Sequence, residues 1–200
     1  LLRLNGLYAI TDEKLTPLDR MVEMVEEVLK HGVKIVQLRD KNHSDDELFE
    51  VAKELRDLVQ SYDGIFIIDD RIELAKQINA HGVHIGKDDK SIDEVRKEFD
   101  GFIGVSCYGS IERALNAQNG GADYVAFGSF YKSPTKPQSG VVKLDVLSKA
   151  KERLLIPICA IGGINNENIS QIRERKPDMI ALVSAIFSGN IKENIENLGV

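Results

Sequence analysis

The sequence predicts a closed (β/α)8 barrel, a TIM barrel, built by residues 1–200 as a single domain. Eight short β-branched apolar runs alternate with amphipathic stretches. The runs are apolar throughout, as strands covered on both faces by a parallel architecture must be. No stretch rich in Pro, Gly or Ser interrupts the alternation, so no linker divides the chain.

The expected strands cover 7–11, 34–38, 65–68, 82–85, 102–105, 124–127, 156–160 and 179–183. After the first, Leu18, Met21, Val22, Val25, Val28 and Leu29 recur at helical spacing, and Thr16-Pro17 supplies an expected cap and first turn. After the second, Leu48, Val51, Ala52, Leu55, Leu58 and Val59 form another helical face. Ser44 with Glu47 and Ser91 with Glu94 have the spacing of capping boxes. The alternative is an open doubly wound sheet. It fits less well, because the first strand runs into Thr11-Asp12-Glu13 instead of a glycine-rich turn, and polar residues follow many strands instead of one switch point.

With 42% hydrophobic residues, 200 residues are enough for a full core. The net charge of -6 and the scattered Lys and Arg argue against a nucleic-acid partner, though a local basic pocket can still take a small anion. Cys107 and Cys159 lack metal-type spacing and read as buried small hydrophobes. No apolar run is long enough to span a bilayer, no signal-like segment opens the chain, and the expected location is cytoplasmic, with no membrane partner. The native start and any homo-oligomer are left open.

In a barrel of this kind the strand C-termini share one mouth, where residues distant in sequence converge. The second strand delivers Gln37, Arg39 and Lys41, whose alternate spacing points them the same way. A guanidinium fork and a mobile ammonium suit an anionic ligand such as phosphate. The third strand ends in Asp69-Asp70-Arg71, and the fourth leads through His84 to Asp88-Asp89. One carboxylate from each could share a hard divalent cation such as magnesium, or simply cap the following helices. The fifth ends at Ser106. The sixth leads into the long 128–137 loop, a solvated loop or a lid that closes over phosphate. Gly162-Gly163 and Val183-Ser184 follow the seventh and eighth strands, the usual phosphate site of this fold.

These pieces, in order, carry a resemblance to thiamine-phosphate synthases over nearly the whole chain. They are Tyr8-Ala9-Ile10-Thr11-Asp12, Gln37-Leu38-Arg39-Asp40-Lys41, Asp69-Asp70-Arg71, Gly82-Val83-His84-Ile85-Gly86 with Asp89, Ile103-Gly104-Val105-Ser106, Phe127-Gly128 through Thr135-Lys136, Ile161-Gly162-Gly163-Ile164 and Val183-Ser184-Ala185-Ile186. The resemblance implies a transferase that joins a hydroxymethylpyrimidine diphosphate to a thiazole phosphate and releases diphosphate, with Mg2+ as cofactor. It implies that Gln37, Arg39, Lys41, Ser106 and Lys136 contact the pyrimidine diphosphate, with Arg39, Lys41 and Lys136 neutralising the leaving group. Asp70 and Asp89 would hold the metal. Ser133, Thr135, Gly163, Val183 and Ser184 would receive the thiazole phosphate, and Leu38, Asp40, Asp69 and Pro134 fall in the same substrate-binding stretches.

Three positions depart from the usual pattern of the family: Asp69 stands where Asn is usual, Ser133 where Thr is usual, and Lys87-Asp88-Asp89 where Gln-Glu-Asp is common. A related thiazole tautomerase is the enzymatic alternative, but that group relies on a His after the fifth strand, where this chain has Cys107-Tyr108. A non-catalytic sensor of thiamine phosphates is the other alternative, and the retained Asp70 and Asp89 weigh against it. His31 and His81 are expected at helix ends, His43 in a polar loop and His84 as a hydrogen-bonded core residue. Phe130 and Tyr131 either cover a ring-shaped substrate or anchor the loop.

Overall fold

A computed structural model describes residues 2–132 and 140–199 of the chain. The strands are β1 (Gly6–Ile10), β2 (Ile35–Leu38), β3 (Ile65–Asp69), β4 (Gly82–Ile85), β5 (Phe102–Tyr108), β6 (Tyr124–Phe127), β7 (Ile158–Ile161) and β8 (Met179–Leu182). Between them lie α1 (Met21–Lys30), α2 (Asp45–Ser61), α3 (Ile72–Gln77), α4 (Ile92–Glu98), α5 (Ile111–Asn119), α6 (Asp145–Arg153) and α7 (Ile169–Arg173), and α8 (Ser184–Phe187) and α9 (Ile191–Asn197) follow the last strand. Each strand pairs in parallel with the next, and β8 returns to β1 through Tyr8 opposite Ala181, so the sheet closes as a (β/α)8 barrel. All eight expected strand runs contain a strand. None of the helices among the described residues is long and apolar enough to cross a membrane.

Strand alternation divides the core into two layers. Tyr8, Ile35, Ile65, Ile67, Tyr124 and Met179 fill the barrel interior, whereas Leu7, Val36, Phe66, Ile68, Val83 and Leu182 face the helices. The outer layer receives Leu48, Ala52, Leu55 and Val59 from one stripe of α2, all fully buried. Each large aliphatic side chain buried this way stabilises the fold by about 1.5–3 kcal/mol.

Both capping boxes form, with Ser44 accepting from Glu47 N–H and Ser91 accepting from Glu94 N–H. Thr16-Pro17 does not cap α1. That helix begins at Met21 with no side-chain cap, because the Thr16 hydroxyl is engaged with the backbone of Asp12, accepting from its N–H at 3.0 Å and donating to its carbonyl at 2.9 Å. The motif closes the β1–α1 turn, so Leu18 precedes the helix it was expected to join. His81 follows α3 and serves as a hydrogen-bonding side chain, not as a cation. Its Nδ1 accepts the Phe66 N–H at 3.1 Å, and burial, helped by the Arg56 charge, lowers its pKa.

Candidate functional site

A cavity opens at the C-terminal end of the strands, and every strand of the barrel contributes to its wall. Among the sequence-derived candidates, Gln37, Arg39, Asp69, Ser106, Gly163, Val183 and Ser184 line it. Lys41 and Asp70 adjoin it through Asp69, whereas Asp89 lines a second depression with Gly86 and Lys87. Ser133, Pro134, Thr135 and Lys136 lie outside the described residues.

The pleat that directs Gln37 and Arg39 inward turns their neighbours away. Leu38 is buried in the outer layer against the helices. The Asp40 carboxylate turns back into the β2–α2 loop, accepting from Asn42 N–H, His43 N–H and the His43 ring, at 2.8, 2.8 and 2.9 Å. Burial raises the Asp40 pKa, but these hydrogen bonds outweigh it and hold the carboxyl below its ordinary range. As side chains, Leu38 and Asp40 are therefore scaffold, contrary to their expected place among the substrate contacts. Arg71 shares that work, with Nη1 2.6 Å from Asp45 and Nη2 donating to the carbonyls of Asp40 and His43, each at 2.7 Å.

The cationic side chains of the triplet are already paired. Thr11 clamps the Arg39 backbone at both its N–H and its carbonyl. The Arg39 guanidinium lies 3.3 Å from Glu13 and 3.8 Å from Asp69. The Lys41 ammonium lies 2.9 Å from Asp69 and also bonds Asp70. Partial burial opposes the Lys41 charge, but Asp70 and Asp69 outweigh it and raise its pKa. The same crowding affects the acids in the opposite sense. Burial, together with the charges of Asp69 and Asp89, raises the Asp70 pKa despite the Lys41 hydrogen bond.

Asp70 occupies a left-handed backbone conformation at φ 53°, which turns the chain out of β3 toward the rim. Asp89 lies in the loop after β4, where its Oδ2 accepts Gly86 N–H at 2.6 Å. Around Asp69, two cations, Arg39 and Lys41, meet three carboxylates, Glu13, Asp69 and Asp70, and the charge of Asp89 acts on Asp70. The excess negative charge is concentrated on hard oxygen donors, the ligand type that magnesium and calcium take. Among the described residues, no set of three His, Cys, Asp or Glu side chains converges on one point, so any cation here would complete its shell with water or ligand oxygens.

The cavity floor is polar and continuous. Gln37 Nε2 donates to Tyr8 Oη at 2.7 Å, Tyr8 Oη meets Tyr124 Oη at 2.9 Å, Tyr124 Oη meets His84 Nδ1 at 2.9 Å, and His84 Nε2 meets Ser106 Oγ at 2.8 Å. Complete burial pushes both tyrosine pKa values up and keeps the phenols protonated. Gly104 makes room for this arrangement, since a Cβ there would come within 2.0 Å of the Tyr124 ring.

Across the cavity from β2, Gly162 and Gly163 have φ of 104° and 66°. A side chain on Gly163 would come within 2.5 Å of the Lys132 carbonyl, so glycine allows the β6–α6 segment to lie directly on this turn. Phe130 N–H donates to the Ile161 carbonyl and Tyr131 N–H to the Gly162 carbonyl. Phe130 is buried in the core and Tyr131 Oη donates to Gln171 at 3.1 Å, so both aromatics anchor the segment. Val183 and Ser184 line the cavity where α8 begins.

Tyr8, Thr11, His84, Tyr108 and Tyr124 were not among the sequence-derived site residues, although the first four line the cavity and Tyr124 completes its floor. Polar atoms on the inward positions of buried strands were the available signal for Tyr8, His84 and Tyr124.

The chain matches the family model described as "Thiamine monophosphate synthase" over residues 7–186. It is 40% identical over 198 residues to the thiamine-phosphate synthase of Wolinella succinogenes, covering 98% of this chain and 92% of that protein. To the thiamine-phosphate synthase of Pyrococcus abyssi it is 41% identical over 194 residues, covering 96% and 92%. Among solved structures, thiamine phosphate pyrophosphorylase from Pyrococcus furiosus superposes with a TM-score of 0.88 at 36% identity, covering 98% of this chain and 94% of that one.

Proposed function

Because the chain belongs to the thiamine monophosphate synthase family, we propose that it is a thiamine-phosphate synthase, a transferase joining 4-amino-2-methyl-5-(diphosphooxymethyl)pyrimidine to thiazole phosphate with release of diphosphate. Near-full-length similarity to thiamine-phosphate synthases at about 40% identity carries this reading. The gathering of Gln37, Arg39, Asp69, Ser106, Gly163 and Ser184 around one cavity supports it.

In this mechanism Gln37 orients the pyrimidine ring, while Arg39, Lys41 and Ser106 receive the diphosphate. Arg39 and Lys41 exchange part of their carboxylate pairing for phosphate oxygens, two of which can accept from the guanidinium fork at once. Ser184, with the backbone around Gly163 and Val183, receives the thiazole phosphate on the opposite wall. Lys136, outside the described residues, completes the cationic set. The carbon–oxygen bond to the diphosphate breaks and the leaving group keeps the electron pair. The resulting pyrimidine-stabilised cation is captured by the thiazole nitrogen, forming the carbon–nitrogen bond. No protein nucleophile is required.

The excess of carboxylate around Asp69, and the raised pKa of Asp70 beside Asp69 and Asp89, suit a magnesium ion. Asp70 and Asp89 would hold it, with Asp69 close by. When bound, the ion would add positive charge to neutralise the departing diphosphate. A cytoplasmic location is part of the same proposal and rests on the sequence reading.

Where a tautomerase would need its imidazole this chain has Cys107-Tyr108: Tyr108 lines the cavity with a phenol instead, and Cys107 packs in the outer layer with its thiol pushed up to about 12. The thiol therefore stays protonated at neutral pH and cannot take that role. Incubation with both substrates and magnesium tests the proposal, with thiamine phosphate as the expected product. Isomerised thiazole phosphate, or tight binding of both substrates without turnover, would contradict it.

A further inference from the structure

The floor residues form one unbroken hydrogen-bond chain through five strands, from Gln37 on β2 through Tyr8 on β1, Tyr124 on β6 and His84 on β4 to Ser106 on β5. Both ends line the cavity. The links in between are two phenols and an imidazole, and a phenol has only one proton to give. With neutral groups, the protons can therefore be ordered along this chain in only two ways.

In the observed arrangement Gln37 Nε2 donates to Tyr8. Tyr8 must then donate to Tyr124, and Tyr124 to His84 Nδ1. His84 thus carries its proton on Nε2 and gives it to Ser106 Oγ, so the Ser106 proton is left for a ligand. At the other end Gln37 keeps its carbonyl Oε1 for the cavity. The reverse order would have Ser106 donate to His84 and offer only lone pairs to the cavity, which would repel an anion. Gln37 would then offer its amide N–H groups in place of an acceptor.

We propose that Tyr8, Tyr124 and His84 are positioning residues whose hydrogen-bond order holds His84 as the Nε2–H tautomer and so makes Ser106 a donor and Gln37 an acceptor toward substrate. That pair of polarities matches an amino-substituted ring carrying a diphosphate arm, and to this extent the inference rests on the function proposed above. The Gln37 amide sets the order, and burial of the first three links preserves it. Gln37, Tyr8 and Tyr124 are nearly inaccessible to water, which could otherwise reset the direction by supplying or accepting a proton.

The test is a long-range 15N–1H correlation spectrum of the histidine-labelled protein, in parallel with the kinetics of Tyr124→Phe. In the native protein His84 should show a protonated Nε2 and an unprotonated Nδ1 at neutral pH. An Nδ1–H tautomer or a fully protonated ring would overturn the proposal. Tyr124→Phe removes the link between Tyr8 and His84. It should raise KM for the pyrimidine diphosphate about 10-fold, the equivalent of one hydrogen bond, leave KM for thiazole phosphate unchanged, and disturb the His84 tautomer. Native kinetics in that variant, or an equal rise in both KM values, would count against a directional role. If Tyr124→Phe does not fold, Tyr8→Phe breaks the chain one step earlier and carries the same expectations for both KM values. Since the tautomer is read without turnover, a protein with the expected spectrum but no synthase activity would refute the proposed function and not the hydrogen-bond order.

Discussion

The Lys41 ammonium lies 2.9 Å from the Asp69 carboxylate, so a cation aimed at substrate is held by an internal anion before substrate arrives. The pairing keeps Lys41 extended toward the mouth in place of folding into solvent. It also sets up a competition that a diphosphate must win. Asp69 is therefore best understood as a residue that weakens ground-state binding of an anion and adds a carboxylate beside Asp70.

Asp69→Asn should remove that competition. Because Lys41 is substantially exposed, the gain is that of a screened ion pair. KM for the pyrimidine diphosphate should fall by about 3- to 5-fold at saturating magnesium. Steady-state kinetics across a magnesium series check this, and a raised KM would mean that Asp69 contributes to binding instead of opposing it.

Lys136→Ala should abolish most turnover while the protein remains folded, as should Arg39→Ala. The loss in kcat should be about 10²- to 10³-fold, the usual effect of removing one donor that stabilises developing negative charge. Parallel rate and thermal-unfolding measurements separate lost chemistry from lost fold. Normal activity in Lys136→Ala would take the 128–137 loop out of the mechanism.

The β2–α2 loop should report on pH through His43. Its hydrogen bond and ion pair with Asp40 raise its pKa above the ordinary imidazole value. Its contribution to stability is thus complete below the unfolded pKa and is lost as pH rises through the raised folded value. Asp40 behaves oppositely: its pKa is lowered, so its contribution holds above the unfolded carboxyl pKa and fades as pH falls through the folded one. A proton NMR titration should place the His43 midpoint above the ordinary range, and Asp40→Asn should bring it down. An unchanged midpoint in Asp40→Asn would show that Asp40 does not set it.

Gly104→Ala should damage both fold and site. The new methyl would overlap the Tyr124 ring, with Cβ 2.0 Å from Cζ, and the ring is fully buried among the barrel residues. A cost of about 1–3 kcal/mol in stability is expected, together with a higher KM for the pyrimidine diphosphate as the floor shifts. Chemical denaturation and kinetics measure the two effects, and native values for both would mean that the floor yields easily.

Much of this architecture was legible because its signals are local. Apolar runs, helical stripes and the Ser44 and Ser91 boxes each need only a few neighbouring residues. The inward aim of Gln37 and Arg39 followed from strand alternation, and the same alternation turns the Leu38 and Asp40 side chains away from the cavity. The counter-ions were less visible. Glu13 lies in a turn that displays no motif, yet it bonds both Arg39 and the Lys41 N–H. The floor chain was hidden for a different reason: Tyr8 and Tyr124 read as ordinary strand residues, and their hydroxyls meet across 116 positions only when the barrel closes. Thr16-Pro17 misled because a hydroxyl before proline can bond to either side, and here Asp12 offers both partners.

The most direct test of the whole account is a 31P NMR time course with both substrates, magnesium and the native protein. One diphosphate should appear for each thiamine phosphate formed, and none when thiazole phosphate is left out. Diphosphate released without coupling, or thiazole phosphate altered with the pyrimidine substrate untouched, would contradict the claim that this barrel mouth unites two phosphorylated rings.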